Sequence, residues 1–321
     1  MAAAESSAFS FPPAWGLSGH SDPVMKTLLS GLASATALLL ATAGISPAEE
    51  KPAESYVLAK KESPIPVGGK LTESDSFEVK DGLLTIKARG EKDETGKVNL
   101  DGSQTIVTER IAATRYRRTQ TQIAGTSKSA VSGEDEKVDP PLMPGPLTRK
   151  PLFIEEKDGS YSASLLSGAP TAEQQEEIKL FTSIFARNDA LLLYGDTPRK
   201  PGDTWKVDPK QLAEFAGAME LSGSLTIEFV EIKEVGGVRC AVLKPVFDLR
   251  GVLARGTLSG GNLTLKGEGS TLRSLADLVD LETKLEAKFT LKDASATPDA
   301  GPVITMQGTM RFEDHNTLAK P

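Results

Sequence analysis

Apolar and polar positions in the last third of the chain alternate with a period of two. Val279, Leu281, Leu285, Ala287, Phe289 and Leu291 interleave with Asp280, Glu282, Lys284, Glu286, Lys288 and Thr290. Ile304, Met306, Met310 and Phe312 interleave in the same way with Thr305, Gln307, Thr309 and Arg311. A helix cannot gather such a set on one side, whereas a strand buries one face and leaves the other wet. Leu263 and Leu265 lead into a further strand carrying Gly267 and Gly269. Leu225, Ile227 and Phe229 change phase to Val230 and Ile232, which predicts a β-bulge. Upstream, Phe77 and Val79, then Leu84, Ile86 and Ala88, a charged turn at Glu91–Gly96, and Val98 with Leu100 predict hairpins. The β-branched run Ile106–Tyr116 continues them, and Phe153–Leu165 reads as another hairpin. Strands of roughly 10–13 residues, about 35–45 Å long at about 3.4 Å per residue, point to a curved antiparallel sheet or an incomplete barrel.

The period changes in two places. Thr171 and Gln174 have capping-box spacing, and Ile178, Phe181 and Phe185 fall on one helical face behind them. Asp208 as N-cap and Pro209 at the first helical position precede Leu212, Phe215, Ala216 and Met219 at i, i+3, i+4 and i+7. Two short amphipathic helices are therefore expected on a mainly β (α+β) fold. Between them, Leu191–Trp205 (LLLYGDTPRKPGDTW) reads as the joint of the molecule, with Pro198, Pro201 and Gly202 making a tight connection and Trp205 plugging two layers. Ala124–Pro151 carries a Ser/Gly run and prolines at 140, 141, 144, 146 and 151, and predicts a long solvated loop.

The N-terminus predicts an address. Met25 and Lys26 open an apolar Leu/Ala run that closes on small residues at Ala41 and Ala43 or Ser46 and Ala48, the pattern of a signal peptide over 25–48. Residues 1–24, without Lys or Arg, read as a non-native or disordered extension, and 49–70, with Pro52, Pro64 and Pro66, as an irregular lead-in. The β-rich domain is then 71–321. A faint echo of Leu84-Thr85-Ile86, Val98 and Arg110 in Leu225-Thr226-Ile227, Val238 and Arg250 suggests two similar halves, 71–207 and 208–321. An exported protein, periplasmic or secreted, is the expectation, with no membrane anchor after cleavage. Cys240 is the single cysteine of the 321 residues, so no internal disulfide is available and the fold must rest on its core.

Composition narrows the chemistry. A net charge of -7 with dispersed Lys and Arg argues against a nucleic-acid footprint. Downstream of residue 48 only His315 remains, beside Asp314, which leaves little for a Ser/His/Asp triad or a zinc site; no cofactor and no metal is expected. Cys240 in VRCAVL reads as a small buried hydrophobe. Gly90–Val98 has the wrong spacing for a P-loop, and Gly267-Glu268-Gly269 lacks a third glycine, with Leu272 in its place. Asp196 and Asp203 could be imagined as an acid–base pair, but both sit in Gly/Pro turns where Asp accepts backbone hydrogen bonds. Arg110, Arg115, Arg117 and Arg118 around Tyr116 form the one basic cluster, a candidate contact for an anionic lipid or polymer or simply a solvated strand face.

Pro198, Pro201, Gly202, Asp203, Thr204 and Trp205 resemble the turn of a group of exported bacterial β-rich proteins of unknown function, with looser similarity from about Leu71 to Thr317. The resemblance implies a fold and an address, and it assigns Pro201–Trp205 a structural role. Two functions fit. One is a non-catalytic protein that binds an apolar or lipid-like ligand under the helices, similar in outline to periplasmic lipoprotein carriers; the other is a structural or interaction protein with a filled interior that meets an envelope partner. A carboxylate-based hydrolase stands third, to be revived by a cluster of buried carboxylates.

Overall fold

The computed structural model describes residues 54–87, 92–131, 137–138, 145–186, 188–212, 218–253, 260–293 and 303–321. The stretch read as a signal peptide, 25–48, and residues 1–24 before it lie outside the described residues. In chain order the strands are β1 (Lys70–Lys87), β2 (Glu94–Ala112), β3 (Arg115–Val131), β4 (Lys137–Val138), β5 (Leu152–Lys157) and β6 (Ser160–Leu165). Helices α1 (Ala172–Ala186) and α2 (Asp189–Tyr194) follow, then β7 (Thr204–Val207), a 3₁₀ turn at Pro209–Leu212, β8 (Ala218–Val235), β9 (Val238–Leu253), β10 (Asn262–Ser274), β11 (Asp280–Lys292) and β12 (Val303–Ala319). The protein is mainly β, a single open antiparallel sheet in the order β6-β5-β3-β2-β1-β12-β11-β10-β9-β8-β7, with β4 paired to β3.

The alternation becomes register. Val207, Leu225, Phe247, Gly267, Ala287, Met310, Val79, Leu100 and Ser127 are neighbours in one row across β7, β8, β9, β10, β11, β12, β1, β2 and β3. A parallel row runs Leu221, Gly251, Leu263, Leu291, Met306 and Leu84. Most of these side chains are buried in the main core, so one face of the sheet is apolar and covered. The strands are longer than their periodicity alone shows, reaching 19 residues in β2, because polar residues in the buried phase carry pairing past the apolar ends. The bulge read at Phe229 is present as a register shift between Phe229 and Glu231.

α1 has the expected start: Gln174 Oε1 accepts from Thr171 N at 3.0 Å and Thr171 Oγ1 accepts from Gln174 N at 3.2 Å. Ile178 is buried with Leu147 and Leu152, and Phe181 packs on them, a second apolar cluster.

Three expectations need correction. Where described, the helix read over Asp208–Met219 begins as a 3₁₀ turn, closed by Gln211 N to Asp208 O and Lys210 N to Asp208 Oδ1. Residues 213–217, with Phe215 and Ala216, lie outside the described residues, and Ala218 already pairs with Leu253, so Met219 belongs to β8. A second described α-helix is α2, overlapping the start of the stretch read as a joint and begun by Asn188, whose side chain accepts from Leu191 N at 3.0 Å. The loop read over Ala124–Pro151 is β-strand as far as Val131: Gly125 pairs with Gly102 and Ser127 with Leu100. Pro140, Pro141 and Pro144 lie outside the described residues. In the charged turn, 88–91 are likewise outside them, and Glu94–Gly96 already pair with Leu84–Ile86.

Candidate functional site

Beyond Phe312 and Phe77, which pair across β12 and β1, the buried face changes character. The next row reads Phe229, Leu243, Thr271, Thr283, Asp314, Asp75, Gln104 and Ile123. The one after it holds Ala241, Arg273 and Asp280 on β9–β11 and Asn316, Glu73, Ile106 and Gln120 on β12, β1, β2 and β3. Polar groups thus occupy positions whose phase elsewhere belongs to the core. They form a band between the main apolar cluster and the cluster under α1.

Hydrogen bonds tie the band together. Gln104 Nε2 donates to Asp75 Oδ2 at 2.7 Å, Gln120 Nε2 to Gln104 Oε1 at 2.9 Å, and Asn316 Nδ2 to both Asp314 Oδ2 and Asp280 O at 2.7 Å. Arg118 donates to Thr108 Oγ1 and lies 3.4 Å from Glu73, with its guanidinium over the Phe185 ring of α1. Burial pushes the Asp314 carboxyl up to about 8, and the negative charges of Glu73, Asp75 and Asp280 add to this against the opposing hydrogen bond from Asn316. A carboxyl shifted in this direction keeps its proton to higher pH than an ordinary one and, while it does, can donate to an oxygen of a bound molecule, with the oxygens around it accepting from hydroxyl or amine groups. Among the described residues no group of three or more His, Cys, Asp or Glu is arranged to hold a metal ion.

Arg273 is the anchor at the apolar end of the band and is 2% exposed. Its Nη1 meets Asp280 Oδ1, its Nη2 donates to Leu278 O and its Nε to Leu58 O, each at 2.6 Å. The guanidinium sits 4.4 Å over the Tyr194 ring of α2, and Tyr194 Oη donates to Asp280 Oδ2 at 3.1 Å. Burial holds the Tyr194 phenol far above its ordinary pKa, so it stays a donor. Leu278 has φ 56°, a left-handed conformation costly for a branched side chain, and the bond from Arg273 helps hold it.

The lead-in of 49–70 is irregular where described, yet far from solvent in its middle: Leu58 and Ala59 are fully buried in the main core and Ile65 nearly so. It crosses the buried face as a strap. Its signal in the sequence is Val57-Leu58-Ala59, an apolar triplet between Tyr56 and Lys60-Lys61.

The turn residues Pro201–Trp205 are brought to the edge beside β8. Gly202 N donates to Phe229 O at 2.6 Å, and Phe229 N to Asp203 O at 2.8 Å, so the turn closes on the bulge. Gly202 has φ 91°, open to glycine and strained for other residues. Asp203 Oδ2 accepts from Lys200 N at 2.9 Å and so serves the turn, and Asp196 is exposed. Trp205 Nε1 donates to Leu193 O at 2.8 Å beneath Arg199, which joins β7 to α2.

The four arginines are on neighbouring strands, each already engaged. Arg115 pairs with Glu155 at 2.8 Å, Arg117 with Glu109, and Arg118 with Glu73. Arg110 donates to Ala113 O and Ile65 O. Cys240 is fully buried, with its thiol pushed up by desolvation, and His315 is half exposed beside Glu282 and Glu313. Gly267 lies within a strand, where a Cβ would meet Glu286 O at 2.3 Å.

No protein-family model and no curated protein matches the chain. Among solved structures it is similar to lipovitellin, described in terms of lipid–protein interactions, at 11% identity and a TM-score of 0.37; the match covers 80% of this chain and 26% of that one, so the chain spans about a quarter of its length. It is also similar to DynF from the dynemicin biosynthesis pathway of Micromonospora chersina, at 11% identity and a TM-score of 0.19, over 87% of this chain and 92% of that one. Likenesses this loose carry no functional weight.

Proposed function

We propose that this is an exported, non-catalytic protein that binds an apolar or lipid-like ligand on the buried face of its sheet. What supports the reading is the division of that face. Rows of Leu, Phe, Met and Val across β8–β12 and β1 would take a hydrocarbon portion, and the adjoining band at Asp75, Gln104, Asp314 and Asn316 would take a polar head. The cover over the apolar rows is a strap and a short helix rather than a second sheet, and such a cover can be exchanged for a ligand at small cost in backbone hydrogen bonds. Native mass spectrometry of protein purified from the exported fraction, with organic extraction, tests this directly. A reproducible apolar adduct is expected, and delipidated protein should recover one on re-exposure. A bare mass in both preparations would sink the reading.

A second reading, a structural or interaction protein of the envelope, draws on the completeness of the packing around Leu58, Phe229 and Leu243, all fully buried. The bare mass that defeats the carrier would favour it. The third, a carboxylate-based hydrolase, has the raised pKa of Asp314 beside Glu73 and Asp75 in its favour. It requires a turnover that Asp314→Asn abolishes.

A further inference from the structure

We propose that the strap 54–69 is the gate of the apolar face: it lifts from its Tyr56 end, about a hinge at Pro64–Gly69, to admit the ligand. The inference rests on the apolar-ligand reading and adds the route by which the ligand enters. Backbone hydrogen bonding defines the two ends. At one, Tyr56 exchanges both bonds with Arg199, N to O at 2.6 and 2.8 Å, in an isolated bridge. At the other, Gly68 N donates to Arg110 O, Arg110 N donates to Gly69 O, and the chain runs straight into β1. The second end is built into the sheet; the first has one backbone bridge, backed by the exposed Arg239 side chain, whose Nη2 donates to Tyr56 Oη at 2.9 Å.

Between the ends, strap carbonyls are held by side chains from separate elements. Leu58 O accepts from Arg273, Lys60 O from Asn188 Nδ2 at 2.7 Å, and Ile65 O from Arg110 Nη1 at 3.0 Å. Opening therefore breaks no ladder. It exposes Leu58 and Ala59 and uncovers the apolar rows, the surface an apolar ligand would re-cover. Arg273 would not be stranded by the movement, because Asp280, Leu278 O and the Tyr194 ring remain in place when Leu58 O departs. A segment with few backbone bonds and a handful of buried side chains belongs to the part of a protein that opens well below the cost of global unfolding.

The Tyr56–Arg199 bridge offers a lock. A hydrogen-bonded antiparallel pair places its Cα atoms about 5.5 Å apart, within the disulfide range. The probe is the neutral fluorophore N-phenyl-1-naphthylamine, followed by its rise in emission on mixing with full-length protein. In Tyr56→Cys/Arg199→Cys, with Cys240→Ala to prevent mispairing, uptake by the oxidised form should be at least about tenfold slower than by the same protein reduced, since the open population is removed. Equal rates would overturn the gate while leaving the ligand reading intact. No uptake by wild type or by the reduced variant would overturn the ligand reading and the gate with it. Asn188→Asp provides a second variant if the disulfide pair does not fold. It keeps an oxygen to cap α2 but removes the donor to Lys60 O, and uptake should quicken by up to about fivefold, the worth of one ordinary hydrogen bond. An unchanged rate would overturn the gate.

Discussion

The two parts of the buried face are made by the same strands and differ only in which side chains fill the inward phase. From Val207 to Leu100 the inward row is apolar across eight strands. Four positions along β12, at Asp314 rather than Met310, the row holds Thr271, Thr283, Asp314, Asp75 and Gln104 across β10–β12, β1 and β2. The apolar part is stabilised by area removed from water, which is additive, non-directional and indifferent to pH. The polar part is stabilised only if every group finds a partner, and it holds one carboxyl out of its ordinary state. The first kind of surface makes a sheet fold. The second is costly to keep, which is why the site is placed there.

The comparison breaks most sharply at its two anchors. Phe247→Ala, at a side chain 1% exposed in the apolar row, should cost about 3–5 kcal/mol in chemical denaturation, with the same loss at pH 5 and pH 8. A loss that varies with pH would show the two regions to be coupled. Arg273→Met should cost somewhat less, about 2–4 kcal/mol, by leaving the part-buried Asp280 without its cation. Adding Asp280→Asn should recover part of it. If the double variant is no better than the single, the cost comes from the lost bonds to Leu58 O and Leu278 O instead.

The apolar region was legible from period-two alternation because nothing competes with it: Val279–Leu291 and Ile304–Phe312 lie in the order their phases require. The capping box at Thr171 and the bulge at Phe229 were legible for the same reason, each being a local signature of a local structure. The polar band was not read, although the phase contained it. Asp75 and Glu73 are in step with Phe77, Thr283 with Leu285, and Asp314 with Phe312. A polar residue in apolar phase looks like the end of a strand until a partner strand shows it to be inside. Asp280 was counted on the wet face, and the register shift between Leu272 and Arg273 sets it against Arg273. The strap was hidden because prolines and charges surround its three buried residues, and burial against distant strands leaves no periodicity. The run Ala124–Val131 reads as a loop because its small residues supply backbone pairing to β2 and little apolar alternation.

Asp314→Asn sharpens the contrast at the next level down. Its carboxyl has a folded-state pKa of about 8, above its value in the unfolded chain, so the folded protein keeps a proton that the unfolded chain releases. That contribution to stability is fully present below about pH 4 and is lost as pH rises toward about 8. The variant lacks this loss. Wild type and Asp314→Asn should be close in stability at pH 4, and the variant should be more stable at pH 8 by several kcal/mol, at most about 5, each pH unit of an unmatched titration being worth about 1.4 kcal/mol. Parallel pH profiles for the two proteins would mean that Asp314 is ionised inside the fold and that the band carries a fourth negative charge beside Glu73, Asp75 and Asp280.

The smallest effect is expected on the outside, at the arginines. Arg115 and Arg117 each face a carboxylate on an adjacent strand and are about half exposed, so their charges are compensated locally before any partner arrives. Exposed pairs of this kind contribute about 1 kcal/mol or less, and screening by salt reduces that further. Replacing both with Ser should therefore shift stability little and leave co-sedimentation with phosphatidylglycerol vesicles within about twofold at low salt, because removing a neutralised cation also exposes Glu109 and Glu155 without changing the sign of a free patch. A tenfold or larger loss of vesicle binding, on the order of 1.4 kcal/mol, would show that these ion pairs open at an anionic surface. The contrast between a polar band inside the sheet and a locally neutralised exterior would then fail, since the exterior would carry a binding surface of its own.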